Sequence, residues 1–272
     1  METSAWAGLP RLSNCTGHNE RSLERAYRAY ARSYPARLAE VVEAPYESSR
    51  IAPWLRVCAE MPQPLIIFGA SSFASLVSYV MAHDSDYEVA AFAVDSAHLQ
   101  ANLHDGKPVV AFEEVEAQFP PDTYTMLIPL GGNRDRNEVR VSRYLAAKRK
   151  GYRFATYVSS HAIVWPDLRV GENSMIFEAA VIQPHASIGN NCILRSQVCV
   201  SHHARIGDHC FIAAGAIVGG NANLGPQCFL GLNSTVRDGV TVPPACLIGA
   251  GAAVISDPPA SGTYMGVPAR LQ

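Results

Sequence analysis

No CxxC pair occurs anywhere in the 272-residue chain, although it contains seven cysteines. That absence removes the usual thiol-ligand and thiol-redox motifs. Nor is there an unbroken apolar run of the roughly 20 residues that cross a bilayer. The most apolar stretch, 65–82, is interrupted by Gly69, Ser71, Ser72, Ser75 and Ser78, and reads as a strand, a turn and a helix. The opening METSAWAGLPRLSN lacks a basic segment leading into an apolar core, so no signal peptide is expected and the protein is placed in the cytoplasm, off the membrane. Charge is scarce, at 17% of residues and a net -2, which leaves no basic footprint for nucleic acid. A small-molecule partner is the class that remains. With 48% hydrophobic residues, the length suits two ordinary globular domains.

What the chain does have is a repeat. Stepping six residues at a time from Val164 meets Val170, Ile176, Ile182, Ile188, Leu194, Val200, Ile206, Ile212, Val218, Leu224, Leu230, Val236, Val242, Ile248 and Val254, sixteen branched aliphatics without an insertion. Two residues before most of them stands a small side chain, as at Ala180, Ala186, Cys192, Ala204, Cys210, Ala216, Ala222, Cys228, Cys246 and Ala252. A large and a small inward residue in every six describe a triangular coil of 18 residues, stacked about 4.8 Å on the next by parallel strand pairing. The expected fold of 159–272 is therefore an all-β, left-handed parallel β-helix of about five coils. Cys192, Cys210, Cys228 and Cys246 then form one inward column of free thiols. Glycines at 171, 189, 207, 225, 231 and 249 are expected to serve the tight corners.

Residues 61–158 alternate differently. PLIIFG reads as a buried strand, ASSFASLVSYVMAHD as a helix, EVAAFAVD and TYTMLIPLGG as further strands, and NRDRNEVRVSRYLAAKRKG as a helix closed by Gly151. This α/β, Rossmann-like pattern implies a parallel sheet whose ligand lies at the carboxyl ends of its strands. GASSF lacks the G-x-G-x-x-G pattern, so the residues alone leave both a phosphate-binding turn and a plain strand–helix turn open. Asp95 is open in the same way, between a ribose contact and a turn residue. Residues 1–60 are expected to form a helical extension, with Tyr27, Tyr30 and Tyr34 as a packing stripe.

Chemistry on a β-helix is sought at its corners. His202 and His203 stand in VSHHARIG; one coil earlier the same corner carries Pro184 and His185, and one coil later Gly220 and Asn221. Histidine is the natural base near neutral pH, and a glycine lets a substrate approach its N–H. A surface histidine pair is equally an inert feature of many proteins, and the residues alone do not separate the two.

GASSF, AVDS, LGGNRDR, HHARIGD, FLGLNSTV, IGAGAAVISD and the terminal GVPAR together resemble the bacterial sugar-nucleotide acyltransferases, the type that includes UDP-bacillosamine N-acetyltransferase and the sialic acid O-acetyltransferases. The resemblance spans residues 63–272. It implies a homotrimer that transfers an acyl group, with acetyl-CoA as cosubstrate and no metal, to the amino or hydroxy group of a nucleotide-linked sugar. By that resemblance His202 is the general base, the Gly220 N–H holds the oxyanion, and residues 230–251, with Gly220, Leu232, Ala250 and Gly251, line the CoA groove. Ser71, Ser72, Phe73, Asp95, Gly131 and Asn133 match the nucleotide-binding segments, and His185 lies beside the acceptor.

Three departures accompany it. The acidic residue that follows the base in the family is His203 here, so His203 must take over the orienting role or leave it unfilled. A second family histidine falls on Phe211, with His209 near it in sequence, and GASSF has lost a glycine and a histidine. These point to an altered acceptor, an altered base arrangement with a carboxylate such as Glu178 or one from a neighbouring subunit, or weakened catalysis in a binding or assembly protein. A zinc-dependent hexapeptide carbonic anhydrase needs three histidines from two subunits, a spacing that His185, His202, His203 and His209 do not reproduce.

Overall fold

Buried aliphatic runs set the first layer. In the computed structural model, which describes residues 62–131 and 134–272, Leu65, Ile66, Ile67 and Phe68 lie buried in β1 (Gln63–Phe68). The tyrosine stripe of 1–60 and Asn133 lie outside the described residues. Ser71 caps α1 (Ser72–His83) by accepting the Ala74 N–H, and β2 (Tyr87–Val94) returns parallel to β1. A short strand β3 (Leu103–His104) turns antiparallel into β4 (Lys107–Ala111), and a single helical turn, α2 (Val115–Gln118), follows. After β5 (Thr125–Leu127) come α3 (Arg134–Arg149) and β6 (Arg153–Phe154). Across the sheet the order is β3-β4-β2-β1-β5-β6, parallel except at β3–β4.

The expected α/β pattern is present, with two differences. The hairpin β3–β4 was not anticipated, and the third anticipated strand stops at Leu127. Pro129 has no N–H to continue a ladder, and the Ile128 N–H instead donates to Asn173 Oδ1 at 2.9 Å.

From Tyr157 onward the chain coils as a left-handed parallel β-helix of two-residue strands on three faces. The first face stacks Tyr157–Val158, Met175–Ile176, Ile193–Leu194, Phe211–Ile212, Phe229–Leu230 and Leu247–Ile248. The second runs from Ile163–Val164 to Ala253–Val254, and the third from Arg169–Val170 to Thr241–Val242. Each aliphatic of the six-residue series is the second residue of its strand. From Ile176 on they join the small residues and the cysteine column in one continuous core.

The role given to the corner glycines needs correction. Gly171, Gly189, Gly207, Gly225, Gly231 and Gly249 do not have positive φ; the left-handed residue of a corner falls two positions later, at Asn173, Asn191, His209, Gln227, Asn233 and Gly251. In Gly171, Gly189, Gly207, Gly225 and Gly231 a Cβ would collide with the backbone of the next coil, so close stacking, not turning, requires them.

The α/β layer lies on the first face. Leu65, Ile67, Val77, Phe92 and Leu127 share a core with Met175, Phe177, Ile193, Phe211 and Ala213 of the coil. Burying each such side chain contributes roughly 1.5–3 kcal/mol. Among the polar fastenings that join the same parts, two are threefold. Arg140, fully buried, donates to the carbonyls of Leu130 (2.6 Å), His209 (2.9 Å) and Cys210 (3.2 Å). Asp84 accepts from Tyr157 Oη, Ser159 Oγ and the Ser160 N–H at 2.8–3.0 Å.

Candidate active site

Because the coil repeats every 18 residues, one corner, between the second and third faces, stacks His185 under His203 and His202 under Gly220. His203 occupies the left-handed position of its turn at φ 60°, and its N–H donates to the Pro184 carbonyl. The His202 N–H donates to Gln183 Oε1 at 2.9 Å. With the backbone fixed in this way, the two imidazoles meet: His202 Nδ1 lies 3.3 Å from His203 Nδ1, with the rings at 82°. One of these nitrogens donates and the other accepts. A neutral His203 that accepts from His202 Nδ1–H leaves the lone pair of His202 Nε2 free. His203 is thus placed to accept a hydrogen bond from His202 without carrying a negative charge.

The His202 ring lies against Gly220. A β-carbon there would sit 2.8 Å from Cε1 and 2.9 Å from Nε2, closer than side-chain atoms approach. On the other side, the His185 ring packs on His203 at 4.7 Å, and His185 Nδ1 is 3.0 Å from Asp167 Oδ2, which also accepts the His185 N–H. The His185 contact holds the Asp167 carboxyl below its ordinary range. The corner therefore runs Asp167, His185, His203, His202, Gly220. It ends on Asp238, whose Oδ1 accepts the Gly220 N–H at 2.7 Å. The Gly220 N–H, the expected oxyanion donor, is thus engaged by a carboxylate in this structure.

Other expected residues lie elsewhere. Leu232, Ala250 and Gly251 form an exposed rail on the corner between the first and second faces, where the Gly251 N–H donates to the Leu232 carbonyl at 2.8 Å. Within one chain that corner is a full side, roughly 20 Å, from the histidine corner, and Leu232, Ala250 and Gly251 lie further rungs along the axis from His202. Glu178 shares the rail's corner and accepts from the Ser196 hydroxyl, so the register excludes it as the partner of His202 in the same chain. His209, near in sequence, sits on the third corner, half-buried with its Nδ1 2.9 Å from Asn191 Nδ2, and burial pushes its pKa down. Phe211 is buried on the first face, stacked on Phe229 at 5.2 Å.

In the α/β layer the chain order reverses at β1, with β2 on one side and β5 on the other, so the loops after β1 and β5 flank the switch point at which such sheets bind ligands. Ser71 and Ser72 are exposed there, and Phe73 follows at the start of α1. Asp95 is occupied: the Arg143 Nε lies 2.8 Å from Oδ1 and 3.0 Å from Oδ2, an ion pair in place of an open ribose acceptor. Gly131 faces the Phe211 ring so closely that a Cβ would overlap it, which gives the glycine a packing reason. Sequence reading missed Arg195, whose guanidinium lies 4.6 Å from both the Phe73 and the Phe177 rings. Its signal is a contact across more than a hundred residues. Among the described residues no three or more His, Cys, Asp or Glu side chains gather as they would around a metal ion, and no helix is long and apolar enough to cross a membrane.

Residues 185–220, which include His185, His202, His203 and Gly220, match the family model of the bacterial transferase hexapeptide (six repeats). No curated protein matches the chain. Among solved structures, the acetyltransferase domain of PglB from Neisseria gonorrhoeae superposes with a TM-score of 0.69 at 23% identity, covering 77% of this chain and 100% of that one. The same domain has been solved in complex with acetyl coenzyme A. PerB from Caulobacter crescentus, in complex with CoA and GDP-perosamine, gives 0.68 at 24% identity over 77% of this chain and 97% of its own. WeeI from Acinetobacter baumannii gives 0.63 at 21% over 76% and 99%. The chain has the fold of these acetyltransferase structures, an α/β layer on a left-handed β-helix, and carries the bacterial transferase hexapeptide repeat at its candidate site.

Proposed function

We propose that this chain is an acyl-CoA-dependent acyltransferase, with acetyl-CoA as donor, acting on an amino or hydroxy group of a nucleotide-linked sugar. The observation that carries the reading is the His202–His203 pair, in which the tautomer that donates His202 Nδ1–H to His203 leaves His202 Nε2 free to act as a base. The structures of similar fold that hold acetyl-CoA, CoA and GDP-perosamine support the choice of both substrates.

In this reading His202 Nε2 takes the proton of the acceptor as its nitrogen or oxygen attacks the thioester carbonyl. The tetrahedral intermediate collapses with loss of the C–S bond, and His202 returns the proton to the leaving thiolate. His203 holds the base in its tautomer, a positioning role. The Gly220 N–H serves the oxyanion once Asp238, an exposed side chain, swings away from it. Gly220, Leu232, Ala250 and Gly251 bind the donor, and a homotrimer brings the rail corner of one copy to the histidine corner of the next. Ser71, Ser72 and Phe73 hold the nucleotide directly, with His185 beside the acceptor. Asp95 acts through its ion pair with Arg143 at the end of β2, Gly131 acts through the shape it gives the loop after β5, and Asn133 is a further nucleotide contact.

One observation favours the alternative, an inactive binding or assembly protein: a carboxylate occupies the oxyanion donor. Incubation with acetyl-CoA and a panel of UDP-, GDP- and dTDP-linked amino sugars, read by mass spectrometry, separates the two. Transferase activity yields one acceptor carrying a single acetyl group. Absence of any acetylated product together with absence of CoA binding would establish the alternative.

A further inference from the structure

The third face carries an unusual outward row. Its strands pair in register, so Arg169, Ser187 and Arg205 stand one above another. Adjacent rungs are about 4.8 Å apart, which sets the two arginines about 10 Å apart at the backbone with a short serine between them. The gap is a cavity of about 410 Å³ lined by these three residues with Asp167, His185, Ala186 and His203, within the size range of small-molecule sites. Among the described residues neither guanidinium has an ion pair or hydrogen bond, and the Ser187 hydroxyl has none. The one carboxylate of the lining, Asp167, is held by His185.

We propose that this cavity binds the anionic group, phosphate or carboxylate, of the acceptor. Two guanidinium forks facing one site across a hydroxyl are suited to an oxyanion with several acceptor atoms, and charge-assisted bonds of this type are the strong ones. The cavity also shares His203 with the reacting corner. The tautomer in which His203 Nδ1 accepts from His202 carries its proton on Nε2, so His203 has a donor left for the same anion. The acceptor's own charge would then sit against His203, where the family's acidic residue is missing, and would complete the corner only when the acceptor is bound. The substrate part of this inference rests on the proposed transferase reading; the anion site does not.

The test has two arms. Calorimetry with inorganic pyrophosphate and with acetate, on the full chain, reads the site without turnover. Binding of at least one of them is expected, and it should weaken about tenfold or more in R169A/R205A and in Ser187→Glu, whose carboxylate lies between the arginines, but not in Arg270→Ala far along the chain. In the transfer assay the same double variant should raise KM for the acceptor about tenfold or more and leave KM for acetyl-CoA unchanged. Anion binding indifferent to these substitutions would overturn the site. A rise in KM for acetyl-CoA alone would overturn its assignment to the acceptor, and a change of oligomeric state with anion binding intact would assign the arginines to a neighbouring copy instead. Retained anion binding in a chain that neither transfers an acetyl group nor binds CoA would reject the transferase reading and keep the site.

Discussion

The coil and the α/β layer hold themselves together by different means. In the coil every rung repeats the last, and its stability is the sum of equivalent aliphatic contacts along one core. Beyond the apolar core it shares with the coil, the layer is attached by unlike, singly placed groups: one buried arginine on three carbonyls, one carboxylate on three donors, one asparagine completing a strand. The repeat thus makes a rigid frame that tolerates variation at its corners, where the histidines sit, and the layer carries the individually specified loops. Walls should govern stability and corners should govern rate.

The largest effect that would break this division is expected from the wall. Leu194→Ala removes a fully buried side chain from a coil with no room to collapse, costing about 2–5 kcal/mol in urea unfolding, with unchanged kcat for the protein that remains folded. Arg140→Met should follow at about 2–4 kcal/mol, since it strands the carbonyls of Leu130, His209 and Cys210. Unlike the wall change, it should also raise KM for the acceptor by loosening the loop after β5. At the corner, Gly220→Ala displaces the His202 ring, and kcat should fall about 10²-fold with the melting temperature nearly constant. A comparable loss of stability there would erase the distinction between wall and corner.

The smallest effect is a pH effect at the Asp84 fastening. Hydrogen bonds from Ser160, Tyr157 and Ser159 hold its carboxyl down to about 2 from an ordinary 3.8. A depressed folded pKa stabilises the fold above the unfolded value, and that contribution is lost as pH falls from 3.8 through about 2. Urea midpoints of the native chain and Asp84→Asn should therefore differ at neutral pH and converge toward pH 2. A constant gap across that range would mean that Asp84 does not fasten the layer through its charge.

The same contrast explains what the sequence disclosed. Each of the sixteen aliphatics falls where the six-residue period places it, because in a coil a residue's surroundings depend only on its register. Register also stacks His202 on Gly220, and one rung further the same register puts Asp238 on the Gly220 N–H. The β3–β4 hairpin had a signal too, in Asp105-Gly106, both with positive φ as such two-residue turns need. Arg140 had none: α3 also carries Arg143 and Arg149, and only tertiary packing selects Arg140 for burial. Asp95 likewise reads as a strand-end carboxylate until Arg143 is found beside it.

The proposed chemistry turns on His202 as a base oriented by His203 in place of a carboxylate. The most direct measurement is thiol release from acetyl-CoA with a productive acceptor, compared among the native chain, His202→Ala and His203→Ala. A base at His202 requires a fall of about 10²–10⁴ for His202→Ala, a smaller fall for His203→Ala, and unchanged donor KM in both. Turnover that survives His202→Ala would contradict it.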